Sequence, residues 1–420
     1  MSEMNRRRFL QSTAAGAVLW PSFASAAPKS PSERINLAFI GVGTMGRGHL
    51  GSFLGSKDVQ VVAVCDVVRE RREDAKRIVE ERYGKDKKSE YKGCAIETDF
   101  RKILERKDID AVVIATPDHW HAIPSILAAR AGKHIYCEKP LTHNIAEGRS
   151  LVDEVKKAGI IFQVGSQQRS EFSNRFRLAV ELVRNGRLGK ISRINVGVGA
   201  PAVACELKEE AIPDGTDWNM WQGPAPTRAY NSILCPKGIH SHFPQWRAYR
   251  EYAGGLLADM GAHHFDIAQW AMDMDGSGPV KIVPPEKGDS GLKFVYASGI
   301  EMYHGGNVDC EFIGDKGTLR VWRSKMEATP GEILTTPIGE KEFHVYPSTN
   351  HRTNWLECIR SGKQPICPPE VGHRSASICH LGNIGYRIRK PLTWDPVKEQ
   401  FTDPEANKLL SREPRAEWKI

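Results

Sequence analysis

Residues 35–50, INLAFIGVGTMGRGHL, decide how the first part of this chain folds. The apolar run 35–40 is typical of a short strand that is buried on both faces of a parallel sheet. Gly41, Gly43 and Gly46 follow it in the G-x-G-x-x-G spacing, where a helix is predicted to begin. The first glycine permits a tight turn, the second lets a pyrophosphate approach the backbone, and the third lets helix and strand pack closely. The stretch therefore predicts a strand, a phosphate-binding turn and a helix.

The residues after this turn indicate which dinucleotide would bind. Thr44 and Met45 open the predicted helix, whose free N–H groups and positive dipole end suit phosphates. A second apolar strand, 59–65, ends in Asp66, where a carboxylate can accept hydrogen bonds from the adenosine ribose and repel a 2′-phosphate. We therefore expect NAD. NADP is the alternative, because nearby arginines could accept the 2′-phosphate: Arg69, Arg71 and Arg72.

Strands and helices alternate from residue 34 to residue 165, which predicts a Rossmann domain with a doubly wound parallel sheet. The predicted helices are 69–83, 100–106, 123–131 and 146–158. Two predicted strands, 111–115 and 134–137, end in polar residues at the carboxyl edge of the sheet, where open α/β sheets bind ligands. The candidates there for contact with the dinucleotide are Thr116, Pro117, His119, His121, Glu138 and Lys139.

Residues 166–395 predict a second, α+β domain for substrate binding and oligomerisation. A predicted helix at 170–186 leads into it. Strand patterns joined by short Gly/Asp turns then predict an open, mostly antiparallel sheet, with strands at 191–199, 280–283, 293–297, 300–303, 308–313 and 317–322. An irregular segment at 201–252 is rich in Trp, Pro and His, and loops of such length are usually functional. Helices are predicted at 351–360 and 375–389, and residues 396–420 form a C-terminal tail.

Composition excludes several classes of function. The 420 residues carry a net charge of +8, but the basic residues are scattered among acidic ones, which argues against a nucleic-acid partner. The nine cysteines include no C-x-x-C pair, so we expect buried thiols and neither a zinc site nor a disulfide framework. No stretch is long and apolar enough to predict a membrane span.

The first 26 residues predict a targeting segment. Residues 5–11, NRRRFLQ, closely resemble the twin-arginine export signal, and a modest apolar stretch follows at 13–20. Ala24-Ser25-Ala26 offers an A-x-A cleavage site. Because the twin-arginine export machinery moves folded proteins, a cofactor could be loaded before export. We expect the mature protein in the periplasm or at the cell exterior.

Motifs along the chain, in their order and spacing, resemble the Gfo/Idh/MocA oxidoreductases, a family that includes glucose–fructose oxidoreductase and inositol dehydrogenase. They are the glycine turn, Thr116-Pro117, Glu138-Lys139-Pro140, and Gly254-Gly255 leading to DMGAHHFD at 259–266. The resemblance implies a sugar or polyol substrate, with Lys139, Asp259 and His263 as the catalytic residues. It also implies a homo-oligomer that forms through the open sheet.

The chemistry of hydride transfer suits these residue types. A histidine with an ordinary pKa near ~6.5 can accept the proton of a substrate hydroxyl at neutral pH. Asp259 and His263 are four apart, so a helix would place both on one face, where the carboxylate could orient the imidazole and favour its charged form. Lys139 would polarise the substrate oxygen. His264 is the alternative base.

The irregular segment offers substrate contacts, since flat aromatic rings stack on the apolar faces of sugars. The candidates are Trp221, Trp246 and Arg247, with His264 from the predicted helix. Ordinary packing is an equal alternative for each tryptophan. A metal site could be assembled from histidines, but no ligand spacing requires it and we expect none; the set is His240, His242, His263 and His264.

Three functions remain. The leading hypothesis is an exported NAD(P)-dependent oxidoreductase that acts on a sugar or polyol. The alternative is an NAD-dependent glycoside hydrolase, which oxidises a ring carbon transiently, eliminates the aglycone and returns the hydride. A non-catalytic sensor is disfavoured, because a sensor does not need Lys139, Asp259 and His263.

Overall fold

Two β-sheets organise this computed structural model, which describes residues 34–84, 91 and 93–420. The predicted export signal at 1–26 lies outside the described residues. In the first part of the chain strands and helices alternate: β1 (Ile35–Ile40), α1 (Thr44–Leu54), β2 (Val59–Cys65), α2 (Arg69–Gly84), β3 (Ala95–Glu97), α3 (Phe100–Glu105), β4 (Ala111–Ile114), α4 (Ala122–Arg130), β5 (His134–Cys137), α5 (Ile145–Ala158) and β6 (Phe162–Val164).

These strands form a six-stranded parallel sheet in the order β3-β2-β1-β4-β5-β6. Every residue of β4 is buried, as the apolar run predicted, because helices cover both faces of the sheet. The strand order reverses between β1 and β4, and ligands bind open α/β sheets at such a switch point. The predicted Rossmann fold is confirmed.

The rest of the chain builds a nine-stranded sheet covered on one side by helices. Its elements are α6 (Arg175–Arg184), β7 (Ile191–Val196), α7 (Trp218–Gln222), α8 (Gly255–Ala271), β8 (Lys281–Val283), β9 (Lys293–Val295), β10 (Glu301–His304), β11 (Cys310–Gly314), β12 (Gly317–Val321), β13 (Met326–Thr329), α9 (Glu332–Thr335), α10 (His351–Ser361), α11 (Pro369–Ile388), β14 (Leu392–Asp395), β15 (Gln400–Phe401) and α12 (Pro404–Asn407).

The order in this sheet is β13-β12-β11-β7-β10-β9-β8-β14-β15. Neighbouring strands are antiparallel except β7 and β10, which pair in parallel. The predicted open, mostly antiparallel sheet is confirmed. On its inner face lie apolar residues of α6, α8 and α11, which join the core of this domain.

The helix predicted at 170–186 begins later than expected. Phe172, Ser173 and Asn174 have φ angles of 60°, 55° and 59°, in the left-handed region, so α6 starts only at Arg175. A left-handed backbone interrupts the right-handed helix that the residue pattern favours. The irregular backbone before α6 places Phe172 at the cleft described below.

The segment 201–252 folds on itself around aromatic side chains. Trp218 and Trp221 stack with ring centroids 4.7 Å apart, and Tyr230 and Tyr252 meet them edge-on. This small core lies against the carboxyl edge of the first sheet, where Val68 joins it. The segment is therefore packed against the edge at which a dinucleotide would bind.

The C-terminal residues connect the two sheets. β15 extends the edge of the nine-stranded sheet, whereas Trp418 packs in the core of the first domain, its ring centroid 4.7 Å from that of Trp120. The nine cysteines are unpaired in the structure. Within the described ranges, no helix has the length and apolar character that a membrane crossing requires.

Candidate functional site

A cleft of about 430 Å³ runs along the carboxyl ends of β1, β2, β4 and β5 and is closed on its far side by α8 and the segment 201–252. It brings together most of the residues that the sequence analysis singled out. Those that line it are Gly41, Gly43, Thr44, Met45, Asp66, Thr116, Pro117, Glu138, Lys139, Trp221, Trp246, Arg247, Asp259 and His263.

The three glycines of the turn have different surroundings. Gly41 has a φ of +86°, and a Cβ there would lie 2.8 Å from the carbonyl oxygen of Ala115. A Cβ at Gly46 would overlap the carbonyl oxygen of Gly41, so only glycine lets α1 approach β1. Gly43 has extended backbone angles, and a Cβ there would meet nothing within 4 Å. The turn is thus tight at both ends and open in the middle.

This cradle fits a dinucleotide. Gly43 caps α1 without any side-chain hydrogen bond, so the open space in front of it faces the helix N-terminus, which suits a pyrophosphate. At the end of β2, the two carboxylate oxygens of Asp66 accept hydrogen bonds of 2.9 Å from the backbone N–H groups of Val42 and Val68. The carboxylate that would receive the ribose hydroxyls is therefore fixed in place.

Residues 236–244 cross over this cradle, and we call them the cover segment. Thr44, the first residue of α1, donates from its hydroxyl to the carbonyl of His242 at 2.8 Å. Arg71 of α2 donates to the carbonyl of Gly238 at 2.9 Å and also to that of Pro236. The guanidinium of Arg71, a candidate for a 2′-phosphate, is thus already engaged with the backbone.

Lys139 and Asp259 meet at the other end of the cleft. The ammonium of Lys139 lies 2.6 Å from Asp259 Oδ1 and 2.7 Å from the Asp259 carbonyl oxygen. Arg247 Nε lies 3.5 Å from the same Oδ1. Burial raises the pKa of the Asp259 carboxyl, but the charges of Lys139 and Arg247 outweigh it and hold the pKa below its ordinary value. Asp259 is therefore an anion that two cations share.

His263 lies one helical turn from Asp259 on α8, but the two side chains make no hydrogen bond with each other. The carboxylate turns to Lys139 instead, and His263 Nδ1 has no partner among the described residues. Burial, followed by the charges of Lys139 and Arg323, lowers the pKa of His263 well below its ordinary value. This corrects the expectation that Asp259 orients the imidazole and favours its charged form: the ring is neutral.

Glu138 is buried between Lys139 and α1 and belongs to a hydrogen-bonded chain. His49 Nε2 donates to Glu138 Oε1 at 2.7 Å, while Arg352 Nε donates to His49 Nδ1 at 3.0 Å. Because an arginine can only donate, His49 Nδ1 is the acceptor in that hydrogen bond. Burial raises the pKa of Glu138, but hydrogen bonds from His49 and Gln167 lower it below its ordinary value.

Some predicted site residues do not line the cleft. His119 donates to the carbonyl of Trp221 at 2.9 Å, and both ring nitrogens of His121 lie against carbonyl oxygens, those of Pro140 and Thr116. His264 donates to the carbonyl of Gly197 at 2.8 Å. These buried rings brace the strand ends, which differs from the contacts with cofactor or substrate that their positions predicted. Gly46 lies behind the turn.

The two candidate tryptophans border the cleft but are buried in the protein. Trp221 stacks on Trp218, and Trp246 lies under the guanidinium of Arg247, whose Cζ is 4.1 Å from the ring centroid. Of the three candidate substrate contacts in this segment, Arg247 is the one that contacts Asp259. Of the histidines considered for a metal site, His240 and His242 lie with ring centroids 4.4 Å apart. Across the described parts of the chain, no group of three or more His, Cys, Asp and Glu side chains is placed to hold a metal ion.

Asp118 and Arg323 are among the cleft residues that sequence reasoning missed. Asp118 is buried, and its Oδ2 has no partner among the described residues; burial, with Asp259 adding to it, raises the pKa of its carboxyl to about 8. It follows β4 in the sequence, between Pro117 and His119, which the sequence analysis selected. Arg323 comes from the turn between β12 and β13, where no motif marks it. Only the packing of the nine-stranded sheet against α8 brings it to the cleft.

Comparison with known families agrees with this geometry. The Gfo/Idh/MocA family model for the "Oxidoreductase family, NAD-binding Rossmann fold" matches residues 35–166. The companion model for the "Oxidoreductase family, C-terminal alpha/beta domain" matches residues 202–420. The matched ranges contain the glycine turn, Lys139 and the α8 residues of the cleft.

Individual proteins are similar over different lengths. Myo-inositol 2-dehydrogenase of Thermotoga maritima is 25% identical over 381 residues, covering 85% of this chain and 96% of that protein. A glycosyl hydrolase family 109 protein of Shewanella pealeana is 30% identical, but over only 45% of this chain and 44% of its own. The crystal structure of aldose-aldose oxidoreductase from Caulobacter crescentus, complexed with glycerol, has a TM-score of 0.57 at 20% identity, covering 86% of this chain and 100% of that one.

Proposed function

This chain belongs to the Gfo/Idh/MocA family of oxidoreductases and is an NAD(P)-dependent enzyme, and on that premise we propose that it oxidises or reduces a hydroxyl of a sugar or polyol. The observation that carries the proposal is the contact between Lys139 Nζ and Asp259 Oδ1. It lies beside His263, in the same cleft as the glycine turn. A charged donor and a neutral imidazole at the cofactor cleft are the groups that hydroxyl chemistry needs.

The roles of these residues follow from their contacts. When bound, the nicotinamide exchanges a hydride with the substrate carbon. Asp259 accepts from the Lys139 ammonium at its carboxylate and at its carbonyl, which leaves one of the three N–H donors for the substrate oxygen. That donor stabilises negative charge on the oxygen as its proton leaves. His263 is neutral and can take up the proton.

We propose NAD as the preferred cofactor. The carboxylate of Asp66 stands where a 2′-phosphate would lie and would repel it. Two of the three nearby arginines are engaged elsewhere: Arg71 with the cover segment, and Arg72 with the carbonyl of Asp66 at 3.1 Å. A phosphate would have to compete with those contacts.

We also propose that the cofactor is held tightly and that the protein is exported with it. The hydrogen bond from Thr44 to the cover segment, at the helix N-terminus that suits the pyrophosphate, supports slow release of the cofactor. The twin-arginine pattern at 5–11 supports a route for folded cargo. Since free nicotinamide is not replenished outside the cytoplasm, a redox-neutral cycle would then follow.

The alternative, an NAD-dependent glycoside hydrolase, has one supporting observation: the partial similarity to a glycosyl hydrolase family 109 protein. Both reactions use the same cofactor cleft and the same lysine. They differ in product, because hydrolysis releases an aglycone and leaves the cofactor unchanged after each turnover.

The test is to add a panel of sugars, polyols and aryl glycosides to the purified protein and to record the absorbance of reduced nicotinamide and the release of aglycone. We expect lasting reduction of the nicotinamide by at least one sugar or polyol. Aglycone release without net reduction would favour the hydrolase instead. No response to any hydroxyl compound would contradict both.

A further inference from the structure

Arg323 is a cation at the cleft that lacks a counter-charge. Its backbone N–H donates to Asp309 and its carbonyl accepts from Arg175, so the residue is anchored at both sides. Its Nε donates to Gln168 Oε1 at 2.8 Å. Throughout the described residues, no carboxylate lies within ion-pair distance of the guanidinium, and neither Nη1 nor Nη2 has a hydrogen-bond partner. Both Nη groups therefore remain available on the cleft side.

Gln168 fixes Arg323 relative to the catalytic histidine. The side-chain amide of Gln168 accepts from Arg323 Nε with its oxygen and donates with its nitrogen to the carbonyl of His263, at 3.4 Å. The charge of Arg323 is among those that depress the pKa of His263, after burial and Lys139. The open edge of the guanidinium thus lies next to the reacting group rather than at the dinucleotide phosphates.

One face of the guanidinium is covered by an aromatic ring. The Cζ atom of Arg323 lies 4.8 Å from the ring centroid of Phe172. Phe172 is the first of three consecutive residues, none of them glycine, with left-handed φ angles. Such a conformation is strained for residues with a Cβ, and strain of this kind clusters at ligand sites. The strained backbone is therefore the segment that places the Phe172 ring against Arg323.

Of the three carboxylates whose charges act on Arg323, two have ion-pair partners of their own, and the third, Asp309, forms no ion pair with the guanidinium. Asp259 is paired with Lys139, and Glu171 lies 3.3 Å from Arg352 Nη1. Asp309 accepts the backbone N–H of Arg323 and faces His264 Nε2 at 3.7 Å. Burial lowers the pKa of Arg323 from its ordinary value, against the raising effect of these three carboxylates. A half-buried guanidinium without a partner is unfavourable unless a ligand supplies the anion.

We propose that Arg323 binds a carboxylate of the substrate, so that the sugar on which this enzyme acts is an acidic sugar of the uronate or aldonate class. The inference rests on the proposed function and narrows its substrate. A guanidinium with one face covered offers its edge, and two Nη donors on that edge match the two oxygens of a planar carboxylate. The same contact would orient the sugar toward His263 and Lys139.

The test compares matched sugars that differ only in the substituent at C6, using the protein with its cofactor bound. Cofactor reduction is measured with D-glucuronate, D-glucose and glucose 6-phosphate, and with the galactose counterparts. The variants are Arg323→Gln and Arg323→Lys. Arg320→Gln is the control. That arginine lies on the outer face of β12, three residues before Arg323, and is paired with Glu311 at 2.6 Å. Retention of cofactor shows that each variant has folded.

We expect wild type to prefer the uronate, and Arg323→Gln to raise KM for the uronate by roughly 10- to 100-fold while the neutral sugar is hardly affected. Arg323→Lys should recover part of the loss, and Arg320→Gln should behave as wild type. Equal use of neutral and acidic sugars, unchanged by Arg323→Gln, overturns the inference and leaves the proposed function intact. A preference for the sugar phosphate also overturns it.

Binding separates this inference from the function on which it rests. If no sugar reduces the cofactor, the proposed function fails, and calorimetric titration of glucuronate then tests the subsite alone. Binding that is lost in Arg323→Gln and kept in Arg320→Gln supports the carboxylate subsite. Absence of glucuronate binding to wild type contradicts it.

Discussion

Lys139 donates from Nζ to Oδ1 of Asp259 over 2.6 Å, and this hydrogen bond joins the end of β5 in the first sheet to α8 in the second domain. Each residue comes from a different part of the chain, so the pair exists only when both domains are folded and docked. The cleft that contains this contact is lined by the glycine turn and also by His263 and Arg323. The chemistry is therefore assembled at the junction of two folding units.

The preference for NAD is expected to depend on Asp66. Asp66→Asn removes the negative charge but keeps a side-chain oxygen that can accept one of the two backbone N–H groups. We expect the ratio of the Kd values for NADP and NAD to fall by roughly tenfold or more, because the repulsion of a 2′-phosphate is lost. Calorimetry with protein stripped of its cofactor measures both constants. An unchanged ratio, or a wild-type preference for NADP, would contradict the proposal that Asp66 selects NAD.

The buried carboxyl of Asp118 makes stability depend on pH in a predictable direction. Burial is the main cause that raises its pKa to about 8, from an ordinary value of 3.8, so the folded protein keeps a proton that the unfolded chain loses. Stability therefore falls as pH rises from about 4 to about 8, by up to roughly 1.4 kcal/mol per pH unit, and then levels off.

Asp118→Asn removes this loss. Denaturant titrations should show a variant that gains stability over wild type as pH rises toward 8 and has little advantage near pH 4. Asp108→Asn is the control, since the hydrogen bond from Arg106 lowers the pKa of that exposed carboxyl and its effect should have the opposite sign. A gain that is the same at every pH would contradict the assigned protonation of Asp118.

Arg169 holds the segment after β6 to α8 through a buried ion pair. Its guanidinium donates twice to Asp266 at 2.8 Å and twice to Asp275, and it lies over the ring of Trp270. Arg169→Met leaves the carboxylates unpaired and should cost about 3–5 kcal/mol of unfolding free energy. Arg77→Met, which breaks exposed pairs on α2, should cost far less unfolding free energy, because solvent screens those charges. If the two variants lost similar unfolding free energy, burial would not determine how much the Arg169 ion pairs stabilise the fold.

The sequence predicted the first domain well because its signals are local. The glycine turn, the strand ends and Asp66 all lie in the first domain. Each is recognised from its neighbouring residues alone, without knowledge of the rest of the chain. The left-handed run at 172–174 was not predictable, because none of its residues is a glycine and its strain is balanced by contacts elsewhere. At these residues tertiary contacts determine the backbone conformation, against the local preference for a helix.

The contacts of the proposed catalytic residues were harder to predict than their positions. A spacing of four residues correctly suggested that Asp259 and His263 share a face of α8, but it could not show that Lys139, far away in sequence, takes the carboxylate. Arg323 had no sequence signal, since it depends on the packing of the second sheet against α8. His119 and His121 follow a strand end, yet their rings bond to backbone carbonyls.

A substitution at Gly43 tests whether the proposed export requires a bound cofactor. Gly43→Val should fold, because the backbone there is extended and a Cβ meets nothing within 4 Å, but the side chain fills space in front of the helix N-terminus. We expect this variant to be purified without dinucleotide and to accumulate in the cytoplasm. Replacing Arg6 and Arg7 by lysine should instead strand protein that holds its cofactor. Gly43→Val found in the periplasm at wild-type levels would show that loading is not required for export.

The most direct measurement of the central claim is cofactor reduction by substrate in Lys139→Ala and His263→Ala, followed in a single turnover. We predict that both variants keep their dinucleotide and reduce it on the order of 10²–10⁴ times more slowly than wild type. His264→Asn, the neighbour whose ring bonds to the carbonyl of Gly197, should stay within a few-fold of wild type. If either alanine variant keeps more than about a tenth of the wild-type rate, Lys139 and His263 do not perform the chemistry assigned to them.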